Sequence, residues 1–198
     1  MIGILGNELQ LIILFFVIFD PLASLVVFFT ATKSMPVEEK KRIAALAITV
    51  AASISAVFLF AGESMLYLFN TNINEFRIAG GIILGILGIK MALGQSLSNP
   101  DDIKDKPSRA IAAIIGTPLI TGPAAITSII ISTHDYGILQ TAIAVIAVLL
   151  LTALMFYNVS RHASIAEKYE TAIKVLSTIL GLITLAWGVN FIRVGLGF

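Results

Sequence analysis

The sequence predicts an all-α polytopic membrane protein, with six transmembrane helices arranged as two inverted three-helix repeats. Three observations predict this class. Hydrophobic residues make up 58% of the 198-residue chain, charged residues make up only 13%, and the mean hydropathy is +0.97. A soluble domain carries about a quarter charged residues, so one water-soluble core cannot hide this much apolar surface. We therefore expect a single transmembrane domain over residues 1–198 and no soluble domain.

Six segments are long enough to cross a hydrocarbon core of about 30 Å, which needs about 20 helical residues. A longer polar connection, SLSNPDDIKDKPS, divides the chain almost in half. Because three spans is an odd number, the second half enters the membrane in the opposite sense. The predicted repeats cover about 1–98 and about 105–198, and the approximate spans are 8–31, 43–69, 76–95, 109–132, 137–160 and 173–196.

The distribution of basic residues predicts the orientation in the membrane. The side that holds the first, third and fifth connections carries most of the Lys and Arg, whereas the opposite side has only Arg77 and Arg193 near span ends. The positive-inside rule places the basic connections in the cytoplasm and both termini on the outer side of the cell inner or plasma membrane. The basic residues are Lys33, Lys40, Lys41, Arg42, Lys104, Lys106, Arg109, Arg161, Lys168 and Lys174.

The first candidate functional feature is Asp20-Pro21, inside span one. If this span begins near residue 8, Asp20 lies about 18 Å along the helix, close to the bilayer centre. Pro21 frees the carbonyl of Val17, and hydrocarbon offers no water to satisfy it. Intramembrane acids usually face a pathway or a partner, which favours a functional break. The alternative is a kink that only shapes packing, with Asp20 held by a neighbouring donor.

The second candidate feature is the segment GTPLITGP, residues 116–123, inside span four. Pro118 and Pro123 each free the carbonyl four residues earlier in the chain. The hydroxyls of Thr117 and Thr121 either satisfy those carbonyls or contact a solute. After Pro123 a helix restarts, and its first amides carry a partial positive charge that suits a carboxylate.

Two such breaks, one in each half, predict a solute site built from interrupted helices. A zwitterionic amino acid suits this chemistry. Its carboxylate would meet the amides that follow Pro21 and Pro123, and its ammonium would meet freed carbonyls or Asp20. The predicted solute-binding residues are Asp20, Pro21, Ser24, Thr117, Thr121, Gly122, Pro123 and Thr127.

Two other charged residues are candidates for coupling solute movement to a cation gradient, together with Asp20. Lys90 lies about 21 Å into span three, a depth close to that of Asp20. It either pairs with Asp20 or extends its long side chain to the cytoplasmic headgroups. Glu63 lies toward the outer end of span two, where it is either an interfacial acid or part of the pathway.

Small residues line span three, where Gly81 and Gly85 have GxxxG spacing. Such residues let helix backbones approach closely, either within one chain or between chains. We favour packing within the chain, and a homo-oligomer remains an open alternative. In span six, Trp187 and Asn190 are placed to line a cavity, or the Asn190 amide makes one interhelical hydrogen bond, which is the interpretation we favour.

Several functional classes find no support in the sequence. There is no cysteine, no HExxH, GxSxG or P-loop motif and no acidic metal cluster, so we expect neither an enzyme nor a bound metal or cofactor. A net charge of +1 gives no reason to expect a nucleic-acid partner. The expected partners are the lipid bilayer, a small solute and a coupling cation.

Three segments of the sequence resemble the MarC family of six-span membrane proteins, which includes the SnatA-type neutral amino-acid transporters. They are FDPLASLVVF in span one, FAGESMLYLFNTNINEFRIAGGIILGILGIKM through spans two and three, and TPLITGPAAIT in span four. The family's first motif is similar to (N/D)-P-x-G-x-x-P-x-F. Here Ala23 stands at the glycine and Val26 at the second proline, and in span four Ala124 replaces the usual glycine after Gly-Pro.

The resemblance implies transport of small neutral amino acids, such as glycine or alanine, coupled to a proton or sodium gradient. We therefore predict a secondary transporter, an exporter or exchanger, with alternating access at a site between spans one and four. Two alternatives stay open at this point. One is a passive channel for ions or small solutes, and the other is a membrane assembly protein that transports nothing.

Overall fold

The computed structural model describes residues 2–95, 103, 106–161 and 163–198, and within these ranges all regular structure is helical. The all-α class is therefore confirmed. The predicted connection between the repeats, including Lys104, lies largely outside the described residues. The elements are α1 (Ile2–Phe19), α2 (Pro21–Thr32), α3 (Val37–Leu68), α4 (Ile73–Ala92), α5 (Ser108–Ile114), the π-helical segment Ile115–Ile120, α6 (Pro123–Tyr136), α7 (Ile138–Arg161) and α8 (Ala163–Gly195).

Four helical stretches are long and apolar enough to cross a membrane: Glu8–Thr32, Val37–Leu68, Ile138–Arg161 and Thr171–Gly195. A fifth span results if the bent pair Ser108–Ile120 and Pro123–Tyr136, with an angle of 53° between its halves, is counted as one. Helix α4 has 20 residues, the length of a span, but it carries three charged side chains, Glu75, Arg77 and Lys90. By length and apolarity, four or five of the six predicted spans are therefore present.

Three helices begin at least six residues earlier than the predicted spans. Helix α1 begins at Ile2 rather than near residue 8, α3 begins at Val37 rather than near residue 43, and α8 begins at Ala163 rather than near residue 173. Hydropathy marks the apolar part of a helix and not its end. In α3 the extension begins directly after Pro36, and acidic residues in its first turn favour the positive end of the helix.

The stretch Glu8–Thr32 is the central span of the bundle. Of its most apolar window, 72% is buried, compared with 28–33% in the other three spans. Phe15, Phe19 and Phe28 are fully buried, and the Phe28 ring stacks on that of Phe156 in α7 at 4.6 Å between centroids. A break in this span therefore lies inside protein and not against lipid.

Helices α4 and α8 are antiparallel and pack at very close range. A Cβ atom built on Gly81 would lie 2.6 Å from the Gly188 carbonyl oxygen, and one on Gly88 would lie 2.7 Å from the Gly181 carbonyl oxygen. The two backbones thus touch where both helices have glycine, as small residues at helix interfaces allow. The predicted role of the span-three glycines in packing within the chain is confirmed for Gly81 and Gly88.

Replacing Gly88 by alanine is expected to lower the free energy of unfolding by about 1–3 kcal/mol, because the new methyl group would lie 2.5 Å from the Leu185 amide nitrogen, a backbone atom. Gly85→Ala is the matched control, since its Cβ would meet only Leu185 Cδ1, at 3.9 Å. Thermal unfolding of both variants in detergent measures the difference. Equal stability of the two variants would contradict the close packing of α4 and α8.

The remaining helix contacts follow a regular scheme. Helix α1 packs against α7, and α3 packs against α5. Helix α2 packs against α8, and α4 packs against α6. Helix α2 also contacts the π-helical segment, α1 contacts α6, and α3 contacts α7. The two interrupted spans therefore touch each other inside a frame formed by the unbroken helices.

Candidate solute site at the interrupted helices

The first interruption is a one-residue break at Asp20. This residue has φ 39° and ψ 64°, in the left-handed region, and it separates α1 from α2. Aspartate tolerates this region better than most residues do. Pro21 then occupies the first turn of α2, where its fixed φ and missing amide hydrogen suit a helix start. The interruption predicted at Asp20-Pro21 is present.

The carboxyl group of Asp20 is buried and only partly satisfied. Its Oδ1 accepts hydrogen bonds from the Ala23 amide at 3.1 Å and from the Ser177 hydroxyl in α8 at 3.4 Å. Its Oδ2 is buried and has no hydrogen-bond partner in the part of the chain that the structure describes. Burying a polar atom without a partner costs free energy. This oxygen is therefore available to a ligand that donates a hydrogen bond.

The second interruption spans the π-helical segment Ile115–Ile120 and the turn after it. Thr117 has extended backbone angles inside this segment, and the Thr117–Pro118 peptide bond is cis. The Thr121 hydroxyl donates to the Gly116 carbonyl at 2.7 Å, and it lies 3.2 Å from the Thr117 hydroxyl. The Thr121 amide donates to the same carbonyl at 3.1 Å. The Thr121 hydroxyl thus satisfies a backbone carbonyl, at Gly116 and not four residues before a proline, whereas the Thr117 hydroxyl contacts Thr121.

Helix α6 begins beside an open groove. Gly122 is its N-cap residue, and no side chain from the described ranges caps the helix there, in contrast to α2, whose N-terminus is capped by Asp20. The groove has a volume of about 250 Å³ and joins the second interruption to α4 and to Ile18 of α1. Lys90 lines the groove, and so do Gly122 and Pro123. Both the helix N-terminus and the Lys90 ammonium favour an anionic group here.

The other predicted binding residues are buried next to these features. Ser24 is 1% exposed in the first turn of α2. In α6 the Thr127 hydroxyl donates to the Pro123 carbonyl at 2.9 Å, and the Thr127 side chain packs against Gly80 of α4. Neither residue lines the groove beside Lys90. In this conformation the two interruptions are adjacent, but the eight predicted residues do not share one cavity.

The predicted pair between Asp20 and Lys90 is absent, and this interpretation is wrong for the described conformation. Asp20 accepts hydrogen bonds from α8 and from α2, whereas the exposed Lys90 lines the groove beside the N-terminus of α6. Glu63 is also distant from Asp20. Its Oε1 lies 3.0 Å from His134 Nδ1 at an exposed position where α3 ends. The interfacial interpretation of Glu63 agrees with this position.

Sequence reasoning missed a second cavity and the ion pair in its wall. This cavity has a volume of about 520 Å³ and lies between α1, α4, α6 and α8, at the end of the molecule where α4 begins and α8 ends. Arg77 of α4 and Asp135 of α6 line it and form an ion pair. Trp187 and Asn190 line it too, whereas the hydrogen bond that Asn190 Oδ1 accepts comes from Arg193 of the same helix, at 3.1 Å, and not from another helix as we favour from the sequence. The available signal was Arg77 itself, a basic residue on the side of the membrane that carries few of them.

The fold and these sites define a class, that of multi-pass helical membrane proteins with interrupted helices. The two interruptions, at Asp20 and at Ile115–Ile120, lie inside the protein, one in each half of the chain. Comparison with known proteins identifies the family within this class. The chain belongs to the MarC family, since the family described as MarC family integral membrane protein matches residues 7–197.

Curated relatives cover nearly the whole chain. The membrane protein YvbG of Bacillus subtilis (strain 168) is 30% identical over 190 residues, which are 91% of this chain and 90% of the relative. YhcE of Escherichia coli (strain K12) is 28% identical over 188 residues, 91% and 87% of the two chains. A membrane protein of Pyrococcus horikoshii is 30% identical over 91% of this chain and 90% of its own. These names state membrane residence and no solute. No solved structure matches the chain.

Proposed function

We propose that the protein is a secondary transporter of small neutral amino acids such as glycine or alanine, acting as an exporter or exchanger coupled to protons or sodium ions. The observation that carries this proposal is the buried Asp20 carboxyl group at an interruption that touches a second interrupted helix. Irregular backbone at membrane depth is tolerated where it is buried in protein or lines a cavity. Transporters use such segments to bind solutes and coupling ions.

The two interruptions offer opposite charges to a solute. At the first, the free Oδ2 of Asp20 accepts a hydrogen bond and suits an ammonium group. At the second, the uncapped N-terminus of α6 and the Lys90 ammonium suit a carboxylate. A zwitterion with a small side chain complements both in a conformation that brings the two interruptions to one cavity, which alternating access would have to supply. Because Asp20 itself caps α2, we assign the solute carboxylate to α6 alone.

Alternating access requires two bodies that move against each other, and the helix contacts support two inverted repeats of three spans. Suppose that α1, α2, α3 and α4 of the first half correspond to α5, α6, α7 and α8 of the second. The contact between α1 and α7 then corresponds to the contact between α5 and α3, and the contact between α2 and α8 corresponds to that between α6 and α4. The contacts α3 with α7 and α4 with α8 map onto themselves. In this arrangement α4, the third span along the chain, brings the number of spans to six, and its charged residues lie near its ends. Both termini then lie on the outer side of the cell membrane.

Counterflow in proteoliposomes tests the proposal. Vesicles loaded with unlabelled glycine should accumulate external labelled glycine transiently, with saturable initial rates, and alanine should compete. A passive channel would give flux without saturation or counterflow. A protein that only supports assembly would give no flux. Thermal-shift measurements with the twenty amino acids add a second readout, because ligands that bind the native state raise its stability.

A further inference from the structure

The cavity between α1, α4, α6 and α8 has the features of a binding site, and neither Asp20 nor residues 115–123 line it. Its lining combines polar groups of Gln10, Ser132 and Asn190 with the apolar surfaces of Leu14 and Phe191. Along α1, six residues separate Leu14 from Asp20, which corresponds to about 9 Å. The fully buried Phe15 and Phe19 lie in that interval. A solute that enters at this end of the bundle would therefore meet the cavity before it meets Asp20.

The ion pair in the cavity wall is an unusual feature of an otherwise apolar bundle. Arg77 is 8% exposed, and its guanidinium donates to Asp135 Oδ1. Its Nε is buried and has no hydrogen-bond partner among the described residues. A guanidinium presents its donors as a planar fork that matches a carboxylate in two parallel hydrogen bonds. One carboxylate oxygen of Asp135 leaves much of that fork unused.

The pair also joins the two halves of the chain, since Arg77 belongs to α4 and Asp135 to α6. Asp135 is the more accessible partner, with 30% of its side chain exposed, compared with 10% for Arg77. A zwitterion placed between them would bring its carboxylate to the guanidinium and its ammonium to the Asp135 carboxylate. Each protein charge would then keep an opposite charge beside it, so opening the pair would not leave a buried charge without a partner.

We infer that Arg77 and Asp135 form an entry site for the zwitterionic group of an amino acid, occupied before the solute reaches the interrupted helices. This inference rests on the proposed transport function and names a second recognition site for it. The site lies at one end of the bundle only. It should therefore set the apparent affinity for solute presented at that end, and leave the affinity at the opposite end unchanged.

The inference is tested by measuring the counterflow KM of Arg77→Lys separately for glycine offered at each end of the bundle. This variant keeps the positive charge beside Asp135 but loses the fork. We expect the KM for glycine to rise about 10-fold or more when glycine is offered at the Arg77 end, as for loss of a charge-assisted hydrogen bond, and to stay unchanged at the other end. The chain has no cysteine, so single cysteines at Asn74 and Ser34 identify the two ends by labelling with an impermeant reagent.

Two further variants separate recognition from a structural role. Arg193→Lys makes the same substitution at an exposed position of the same end that does not line the cavity, and should leave KM unchanged because lysine can still donate to Asn190 Oδ1. The exchanged pair Arg77→Asp with Asp135→Arg again offers both charges to a zwitterion, so it should recover thermal stability and part of the affinity at that end. An Arg77→Lys variant with wild-type KM at the Arg77 end, or a loss of rate that is equal from both ends, would overturn the inference and leave the transport proposal standing.

Direct binding of glycine to the purified wild-type protein and to Arg77→Lys makes the two proposals distinguishable. If wild-type protein binds glycine but shows no counterflow, transport fails, and a weaker Kd in Arg77→Lys still supports the entry site. If wild-type protein shows neither binding nor counterflow of any amino acid, both proposals fail.

Discussion

Replacing Asp20 by asparagine is expected to leave glycine counterflow measurable but with a raised KM, because an amide NH2 group replaces the Oδ2 acceptor, and to abolish its stimulation by an imposed proton gradient. An asparagine oxygen can accept the bonds that Asp20 receives from the Ala23 amide and the Ser177 hydroxyl, and asparagine tolerates left-handed backbone angles. The interruption should therefore keep its geometry. The amide cannot bind and release a proton, so a coupling role of the carboxyl group would be lost.

Replacing Asp20 by alanine should have a larger effect. Loss of the N-cap is expected to lower the free energy of unfolding by about 0.5–2 kcal/mol. Loss of the acceptor for the solute ammonium should weaken glycine binding by roughly 10- to 100-fold, as for a hydrogen bond to a charged group. Thermal unfolding and counterflow KM measure these two effects separately.

Glu38→Gln is the control for removal of an acidic side chain, since Glu38 is exposed and pairs only with Lys41 among the described residues. It should retain both counterflow and its response to the gradient. If Asp20→Asn accumulates glycine in response to a proton gradient as well as the wild-type protein does, Asp20 is not the coupling group. If Asp20→Ala binds glycine with wild-type affinity, Asp20 does not contact the solute.

Local rules explain why both interruptions could be predicted from sequence. Pro21, Pro118 and Pro123 each remove an amide donor, and this chemistry depends on the residue and its neighbours alone. The break at Asp20 and the irregular segment around Thr117 lie where these prolines predict them. Hydropathy identified the apolar stretches for the same reason, because the requirement for about 20 apolar residues applies to one helix at a time.

The partners across the bundle were not predictable in this way. Ser177 reaches Asp20 from 157 residues away, and Arg77 reaches Asp135 from 58 residues away. Such pairs depend on how helices rotate and cross, and a single sequence does not specify this. The depth of Lys90 along its span was compatible with a bond to Asp20, but depth leaves the facing direction open. The structure places Lys90 beside the N-terminus of α6 instead.

The interruptions therefore depend on local backbone geometry, whereas the contacts across the bundle depend on tertiary packing. At the second interruption, a single added methyl group can test whether the backbone geometry of the turn matters. A Cβ atom on Gly122 would lie 2.5 Å from the Pro118 carbonyl oxygen, another backbone atom of the same turn. Gly122→Ala can be accommodated only if the turn between the π-helical segment and α6 opens.

Gly122→Ala is therefore expected to lower the free energy of unfolding by about 1–3 kcal/mol, as for overpacking, and to abolish glycine counterflow. The flux is lost because the first amides of α6 move away from the groove that Gly122, Pro123 and Lys90 line. Counterflow is measured per folded molecule, at a temperature below the unfolding midpoint of the variant, so that reduced stability does not by itself account for the loss.

Gly85→Ala provides the matched control, because it adds the same methyl group to a glycine of α4 at ordinary contact distance, and its counterflow should equal that of the wild-type protein. If Gly122→Ala remains folded and exchanges glycine at the wild-type rate, the shape of the second interruption does not matter for the solute. The α6 N-terminus would then have to be removed from the proposed site. Loss of counterflow with intact binding of glycine would instead assign this turn to the conformational change and not to recognition.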